Sequence, residues 1–334
     1  MDQKALVKEY RNNILENVHM GVICGINAEG DILYSVGDEN HMTFLRSAAK
    51  PFQSIPVIQN GVDDKFGLTS KEAALFAASH RGEDYHIEAL ESILKKTGID
   101  EEQFYCCPTY PLNEEPKADY HRMHGMQRKL YHNCSGKHSG FIALAKVLEH
   151  DMDGYWELEH HVQQLSLAAM ADMANYPKED IGIGIDGCGF PVYAMPLQHI
   201  AQAYLKLACP DLIQQPKMRE AVVKITGYMN AHPEMIASHD FICSVLLADL
   251  NIVAKGGAKG VYGFALKKER MSFALKVMDG SELVWSIIIA SILEQINYEK
   301  RQTIERLYEL VPKEIINDNL TIVGERKVVF DLRK

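Results

Sequence analysis

Arg46-Ser47-Ala48-Ala49-Lys50 sets a hydroxyl and an amine three residues apart. On a helix, positions i and i+3 share a face, so the Lys50 amine can reach the Ser47 hydroxyl. A serine hydroxyl is a weak nucleophile until a base takes its proton. Lysine serves as that base only as the neutral amine, a state reached when burial or a second cation lowers its pKa. A serine in the first turn of a helix also meets backbone N–H groups able to stabilise an oxyanion. The chemistry described is acyl transfer through a serine ester. The plainer alternative is an exposed Ser–Lys pair with no chemical role.

Four other segments carry reactive groups. Lys255-Gly256-Gly257 is a Lys-x-Gly placed before a hairpin pattern, where enzymes with a Ser-x-x-Lys motif, the penicillin-binding proteins and serine β-lactamases, carry a Lys-Thr-Gly. The competing reading is a Gly-rich turn. Asn133-Cys134-Ser135-Gly136-Lys137-His138-Ser139-Gly140 packs four kinds of reactive side chain around two glycines, which let side chains converge. It reads as a substrate or metal contact at a helix start, against a polar cap. Gly182-Ile183-Gly184-Ile185-Asp186-Gly187 spells G-x-G-x-x-G, but that fingerprint must open a helix, and Gly189 and Pro191 follow at once. A loop presenting Asp186 to a substrate ammonium fits better. Cys188 can join Cys134, with Lys137 if that amine is neutral, in a soft site suited to zinc, or these thiols simply pack. In Ala78-Ser79-His80-Arg81-Gly82-Glu83, Ser79 is a candidate to form a second Ser–Lys couple with Lys255. Otherwise it is incidental at a helix end. The histidines at 121, 124, 132, 160 and 161 fit no metal spacing, and the remaining cysteines read as packing residues.

The elements that must position these groups follow from patterning. Met20–Asn27 and Ile32–Val36 flank an Ala-Glu-Gly-Asp turn and read as a hairpin. A short helix near Ser47 tolerates Pro51 in its first turn. Thr69 with Glu72 opens a helix running to about Ser79. Helices are expected over 86–98, 136–148, 155–175, 197–207 and 216–230, with a Gly-rich turn region over 181–191. Residues 261–266 and 271–278 form a second hairpin, Ser281–Tyr298 a helix, and 320–323 and 327–330 closing strands. Strands at both ends and helices between them predict an α+β fold: an antiparallel sheet built from both chain ends (residues 1–60 and 240–334) with a mainly helical insertion over 61–239, all one catalytic unit.

Bulk composition agrees with a folded enzyme. The chain has 334 residues, 47% apolar and 24% charged, with a formal net charge of −10. No basic run marks a nucleic-acid surface, and the acidic balance disfavours an anionic membrane. The longest apolar run, Val284–Leu293, is too short to span a bilayer. The first ten residues lack the apolar stretch of a signal peptide, and seven cysteines without repeating spacing form no disulfide framework. We expect a cytoplasmic protein with free thiols.

Together, Arg46-Ser-Ala-Ala-Lys50-Pro-Phe-Gln53, Ser79-His-Arg-Gly-Glu83, Asn133-Cys-Ser-Gly-Lys-His138, Asp186-Gly-Cys-Gly189 and Lys255-Gly-Gly-Ala258 resemble, in order and approximate spacing, the asparaginase II (rhizobial-type, class 3) family of L-asparaginases. The resemblance spans roughly residues 20–265. It implies hydrolysis of L-asparagine to L-aspartate and ammonia, a fold like serine β-lactamases and glutaminases, and a homodimer. Carried over residue by residue, it implies Ser47 as nucleophile, Lys50 as base, and Ser79 with Lys255 as a second pair that moves protons and keeps Lys50 neutral. It further implies Arg46, His138 and Asp186 as substrate or orienting groups, and Cys134, Lys137 and Cys188 as a zinc site that modulates the site without being required for the chemistry. The chain departs from the family at Lys259, where the family carries Glu, and in a shorter segment after His232-Pro233-Glu234. Lying in a Gly-rich loop beside Lys255, Lys259 is expected to face the site. Two alternatives have other roles on the same fold: a penicillin-interacting serine acyl enzyme, and a non-catalytic amino-acid sensor.

Overall fold

Long runs of β-branched and aromatic residues near both chain ends pair into one sheet. The computed structural model describes residues 3–332. The described residues group into two units. The first comprises residues up to Ala48, Met195–Ala208 and the chain from Asp240 onward; the second comprises Ala49–Ala194 and Cys209–His239.

The first unit carries strands β1 (Lys4–Arg11), β2 (Ile14–Ile26), β3 (Ile32–Val36), β7 (Ile252–Gly257), β8 (Val261–Leu266), β9 (Met271–Val277), β10 (Glu314–Ile316) and β11 (Ile322–Val328). They form an eight-stranded sheet of order β10-β11-β1-β2-β9-β8-β7, with β3 paired to β2; the short strand β4 (Met42–Phe44) lies outside it. The pairings are antiparallel, from Val7↔Val328 at the join of the two chain ends to Gly257↔Val261 at the β7–β8 turn. An antiparallel sheet from both termini is the α+β architecture expected from patterning. Strands β7 and β8 are buried on both faces. Helix Leu197–Ala208 packs on β2, β8 and β9, and helix Ile242–Leu247 on β7. The former segment was expected in the helical insertion. It joins the sheet because its side chains and carbonyls face β8 and β9, as in the 2.7 Å bond from Ser272 Oγ to Ala201 O.

The second unit is mainly helical, with helices Asp84–Thr97, Ser135–Val147, His161–Ala174 and Pro216–Ala231. Thr69 and Glu72 close a capping box over helix Ser70–Ala74. That helix tightens into a 3-10 turn at Leu75–Ala77, and Ala78 is already extended. Ser79 therefore lies beyond the helix rather than at its end, held by bonds from Ser79 N to Ile236 O and Arg81 N to Ala237 O at 2.8 and 3.1 Å.

Three other expectations change. Residues 182–196 are not simply a turn region: β5 (Gly182–Ile185) and β6 (Pro191–Pro196) pair antiparallel, so cross-strand pairing overrides the weak strand propensity of glycine. The helix expected from Tyr155 begins at His161, because His160 Nδ1 accepts from Val162 N at 3.3 Å and caps it there. The helix expected from Ser281 begins at Trp285, since Asp279 Oδ1 takes the Ser281 N–H in a preceding turn. Among the described residues, no helix is long and apolar enough to cross a membrane.

Candidate active site

The Ser47 turn belongs to the first unit. Arg46–Ala49 is a 3-10 turn that runs into helix Lys50–Gln53, with Pro51 in the first turn as its missing N–H requires. Arg46 and Ser47 are half-buried, and Arg46 takes a left-handed φ of 48°. Such a conformation is uncommon for a residue other than glycine and persists only where the surroundings enforce it. Strand β7 supplies part of that enforcement. A Cβ on Gly257 would lie 2.3 Å from Leu45 O and 2.8 Å from Ala48 N, so only glycine lets strand and turn touch. Lys255, two residues earlier on β7, is 2% exposed and its Nζ donates to Gly256 O at 2.8 Å.

Lys50 belongs to the second unit and is fully buried. Its Nζ lies 2.6 Å from Ala78 O, 3.0 Å from Ser79 Oγ and 3.0 Å from Asn133 O. Burial lowers its pKa, Lys137 reinforces the shift, and Cys134 opposes it. Helix Ser135–Val147 delivers Asn133 and Cys134 from its N-terminal end. It lies so close to the Leu75–Ala77 turn that a Cβ on Gly136 would sit 2.2 Å from Leu75 O.

One turn into that helix, Lys137 donates to Cys188 Sγ at 3.2 Å and lies 4.2 Å above the Phe190 ring. Cys188 sits in the turn between β5 and β6, where Asp186 Oδ1 accepts from Gly187 N at 2.8 Å. The segment is a hairpin, not the strand-to-helix turn of a dinucleotide fingerprint. Cys134 is held well below the usual thiol range, first by a hydrogen bond from Cys188, then by Lys50 and Lys137 against burial. The same bond and burial push Cys188 well up. The shifts are opposite in sign, so Cys188 keeps its proton more firmly than Cys134. Burial alone would lower Lys137, but Cys188, Cys134 and Asp186 outweigh it and hold the amine protonated.

This set fits a soft metal: two sulfurs, one with its thiol pKa held low, and a nitrogen meet in a buried site. Zinc would be held by Cys134, Cys188 and Lys137, with Lys137 and Cys188 giving up protons. Among the described residues there is no cluster of three or more His, Cys, Asp or Glu able to hold a metal.

His138 is fully buried, with Nδ1 2.6 Å from Tyr155 Oη, and burial holds it neutral. Its ring stacks edge-on against Phe190, with centroids 4.4 Å apart. Tyr155 was not singled out in the sequence; nothing local marks a tyrosine in a turn whose partner lies in the preceding helix. His80 was passed over within its motif. Ser135 Oγ donates to Leu130 O, so its 2.8 Å bond with His80 Nε2 must be donated by the ring. His80 Nδ1 then bears the lone pair.

Lys259, expected to face the site, has its side chain beside Gly280. It occupies the tip of the three-residue β7–β8 loop, exposed, with a left-handed φ of 68°. The shortened segment after His232 forms helix Pro233–Ile236, whose end supplies the carbonyls that hold Ser79 and Arg81.

The model of the L-asparaginase II family matches residues 7–328, nearly the whole chain. The protein belongs to that family, and with it to the amidohydrolases. No curated protein matches the chain in sequence. Among solved structures, a β-lactamase from Mycobacterium bovis is 12% identical with a TM-score of 0.39, covering 82% of this chain and 94% of its own. A Bacillus glutaminase is 12% identical with a TM-score of 0.40, covering 84% and 92%.

Proposed function

We propose that this protein hydrolyses L-asparagine to L-aspartate and ammonia, with Ser47 as nucleophile and Lys50 as its base. The observation that carries the reading is the Lys50 amine. It is fully buried, three residues from a half-exposed serine, and shifted toward its neutral form. In the reaction, Ser47 Oγ bonds to the amide carbon as its proton passes to Lys50 Nζ. That proton goes on to the departing nitrogen, the C–N bond breaks, and ammonia leaves an aspartyl ester on Ser47. Water then adds to the ester, Lys50 relays its proton back to Ser47 Oγ, and aspartate is released. Ser79 and Lys255 form the second couple that moves protons and keeps Lys50 neutral. Arg46 faces the substrate carboxylate, Asp186 its ammonium, and His138 orients the pocket wall. Zinc on Cys134, Cys188 and Lys137 would supply fixed positive charge beside the substrate. The active species is a homodimer.

One observation favours a second reading. The hydroxyl that touches Lys50 Nζ is that of Ser79, at 3.0 Å, which makes Ser79 the alternative nucleophile. Ser135 is not a candidate, being fully buried with its proton committed to Leu130 O. The test is ammonia release from L-asparagine by wild type, Ser47→Ala and Ser79→Ala, with mass spectrometry of the trapped ester. An ester on Ser47 and an inactive Ser47→Ala support the proposal. An inactive wild type overturns it.

A further inference from the structure

Tyr204 lies on helix Leu197–Ala208, outside every segment the sequence marks as reactive, yet its hydroxyl joins two of them. Its Oη lies 2.7 Å from Ala48 O, in the turn that presents Ser47, and 3.2 Å from Lys255 O on β7. A phenol has one proton, so the two carbonyls share it, with the shorter bond to the Ser47 turn. The side chain is fully buried, and burial holds its pKa well above the ordinary tyrosine value, so the hydroxyl stays a donor. The ring lies flat on β8: a Cβ on Gly263 would fall 2.1 Å from it. The clamp is therefore braced on its far side by the sheet itself.

We propose that Tyr204 is a positioning residue for catalysis, which fixes the Ser47 turn against the Lys255 strand through this shared hydrogen bond. The inference rests on the reading of Ser47 as nucleophile. The turn needs such a brace because Arg46 is left-handed and does not hold its shape by local preference. Gly257 provides close packing there, but packing resists compression only, whereas the Tyr204 bond also resists separation. Catalytic groups must stay within about 0.5 Å of their productive geometry, and a shift of about 1 Å costs on the order of 10²-fold in rate. Tyr204 touches backbone rather than substrate, so its loss should lower kcat and leave KM nearly unchanged.

The test compares wild type, Ser47→Ala, Tyr204→Phe and Ser272→Ala in steady-state hydrolysis of L-asparagine. Ser272 is the control, since its buried hydroxyl anchors the same helix at Ala201 O, away from the site. The expected result is a kcat reduced about 10- to 100-fold in Tyr204→Phe, a KM within about twofold of wild type, and an unchanged kcat in Ser272→Ala. A Tyr204→Phe kcat within about twofold of wild type overturns the proposal. So does an equal loss in Ser272→Ala, which would make the effect a general loosening of the helix. Should Tyr204→Phe not fold, Gly257→Ala carries the test, because its Cβ forces turn and strand apart; an unchanged kcat there overturns the proposal. An active Ser47→Ala would instead overturn the reading of the nucleophile, whatever Tyr204→Phe does.

Discussion

Lys50 Nζ and Ser79 Oγ lie 3.0 Å apart, and the same nitrogen also contacts two carbonyl oxygens, Ala78 O and Asn133 O. Carbonyls only accept. An ammonium therefore donates to all three groups, whereas the neutral amine gives its two protons to the carbonyls and must accept from Ser79. Loss of the Lys50 proton is thus tied to rotation of the Ser79 hydroxyl. We expect Ser79→Ala to lower kcat about 10²- to 10³-fold, the scale of general acid–base assistance. Ser47→Ala should cost about 10⁴-fold or more, the scale of a lost nucleophile. Steady-state ammonia release ranks them, and the reverse order would exchange their roles.

The lowered pKa of Lys50 sets the direction of the pH profile. In its proposed role Lys50 is active when neutral, so kcat should rise with pH through the shifted lysine pKa and then level, with the rising limb below the ordinary lysine range. Lys50→Arg should be inactive across the whole profile, because a guanidinium stays protonated. More than about 1% of wild-type kcat in that variant would remove Lys50 from the role of base, given that such bases contribute 10²- to 10⁴-fold.

Zinc should copurify with wild type prepared without chelator, and Cys134→Ser or Cys188→Ser should lose it. With Ser47 proposed as the nucleophile, metal loss should raise KM more than it lowers kcat. Elemental analysis alongside kinetics decides the matter. No metal in wild type and an unaltered KM in Cys188→Ser would leave the two sulfurs a packing role.

Acid should unfold the protein from moderate pH. Burial holds His80, His86 and His138 neutral, with His86 lowered to about 3. The unfolded chain binds protons at these residues below about 6.5 and the folded chain does not, so stability is full above that pH and falls toward pH 3. Each histidine contributes a slope of up to about 1.4 kcal/mol per pH unit. Calorimetry near pH 5.5 in buffers of different ionisation heat should find nearly three protons taken up on unfolding from these sites, by the standard linkage relation. Uptake below about one proton would mean that the histidines charge in the folded state.

Lys259→Glu should leave kcat, KM and pH profile unchanged, because the side chain is exposed at a loop tip where charge is screened. Lys259→Gly should stabilise the fold by about 0.5–1 kcal/mol, since glycine adopts the left-handed conformation without the Cβ penalty. Denaturant midpoints test the second effect. A shifted pH optimum in Lys259→Glu would place the residue back in the site.

Much of the local structure is written in short stretches of sequence. The Thr69–Glu72 capping box, the left-handed Gly98 that ends helix Asp84–Thr97, and the β2–β3 and β8–β9 hairpins depend on interactions within a few residues, and patterning locates each of them. The reactive motifs are legible for the same reason, since residue type and spacing limit the chemistry available. What they touch is not. Lys50 meets Asn133 across 83 residues, and Lys137 meets Cys188 across 51. The bare lone pair on His80 and the shared proton of Tyr204 follow from partners that no local signal names. Helix and turn propensities act over one or two turns of chain, so they shape elements; side chains distant in sequence converge only when burial packs those elements together, and that packing alone decides which lysine's pKa falls and which thiol's rises.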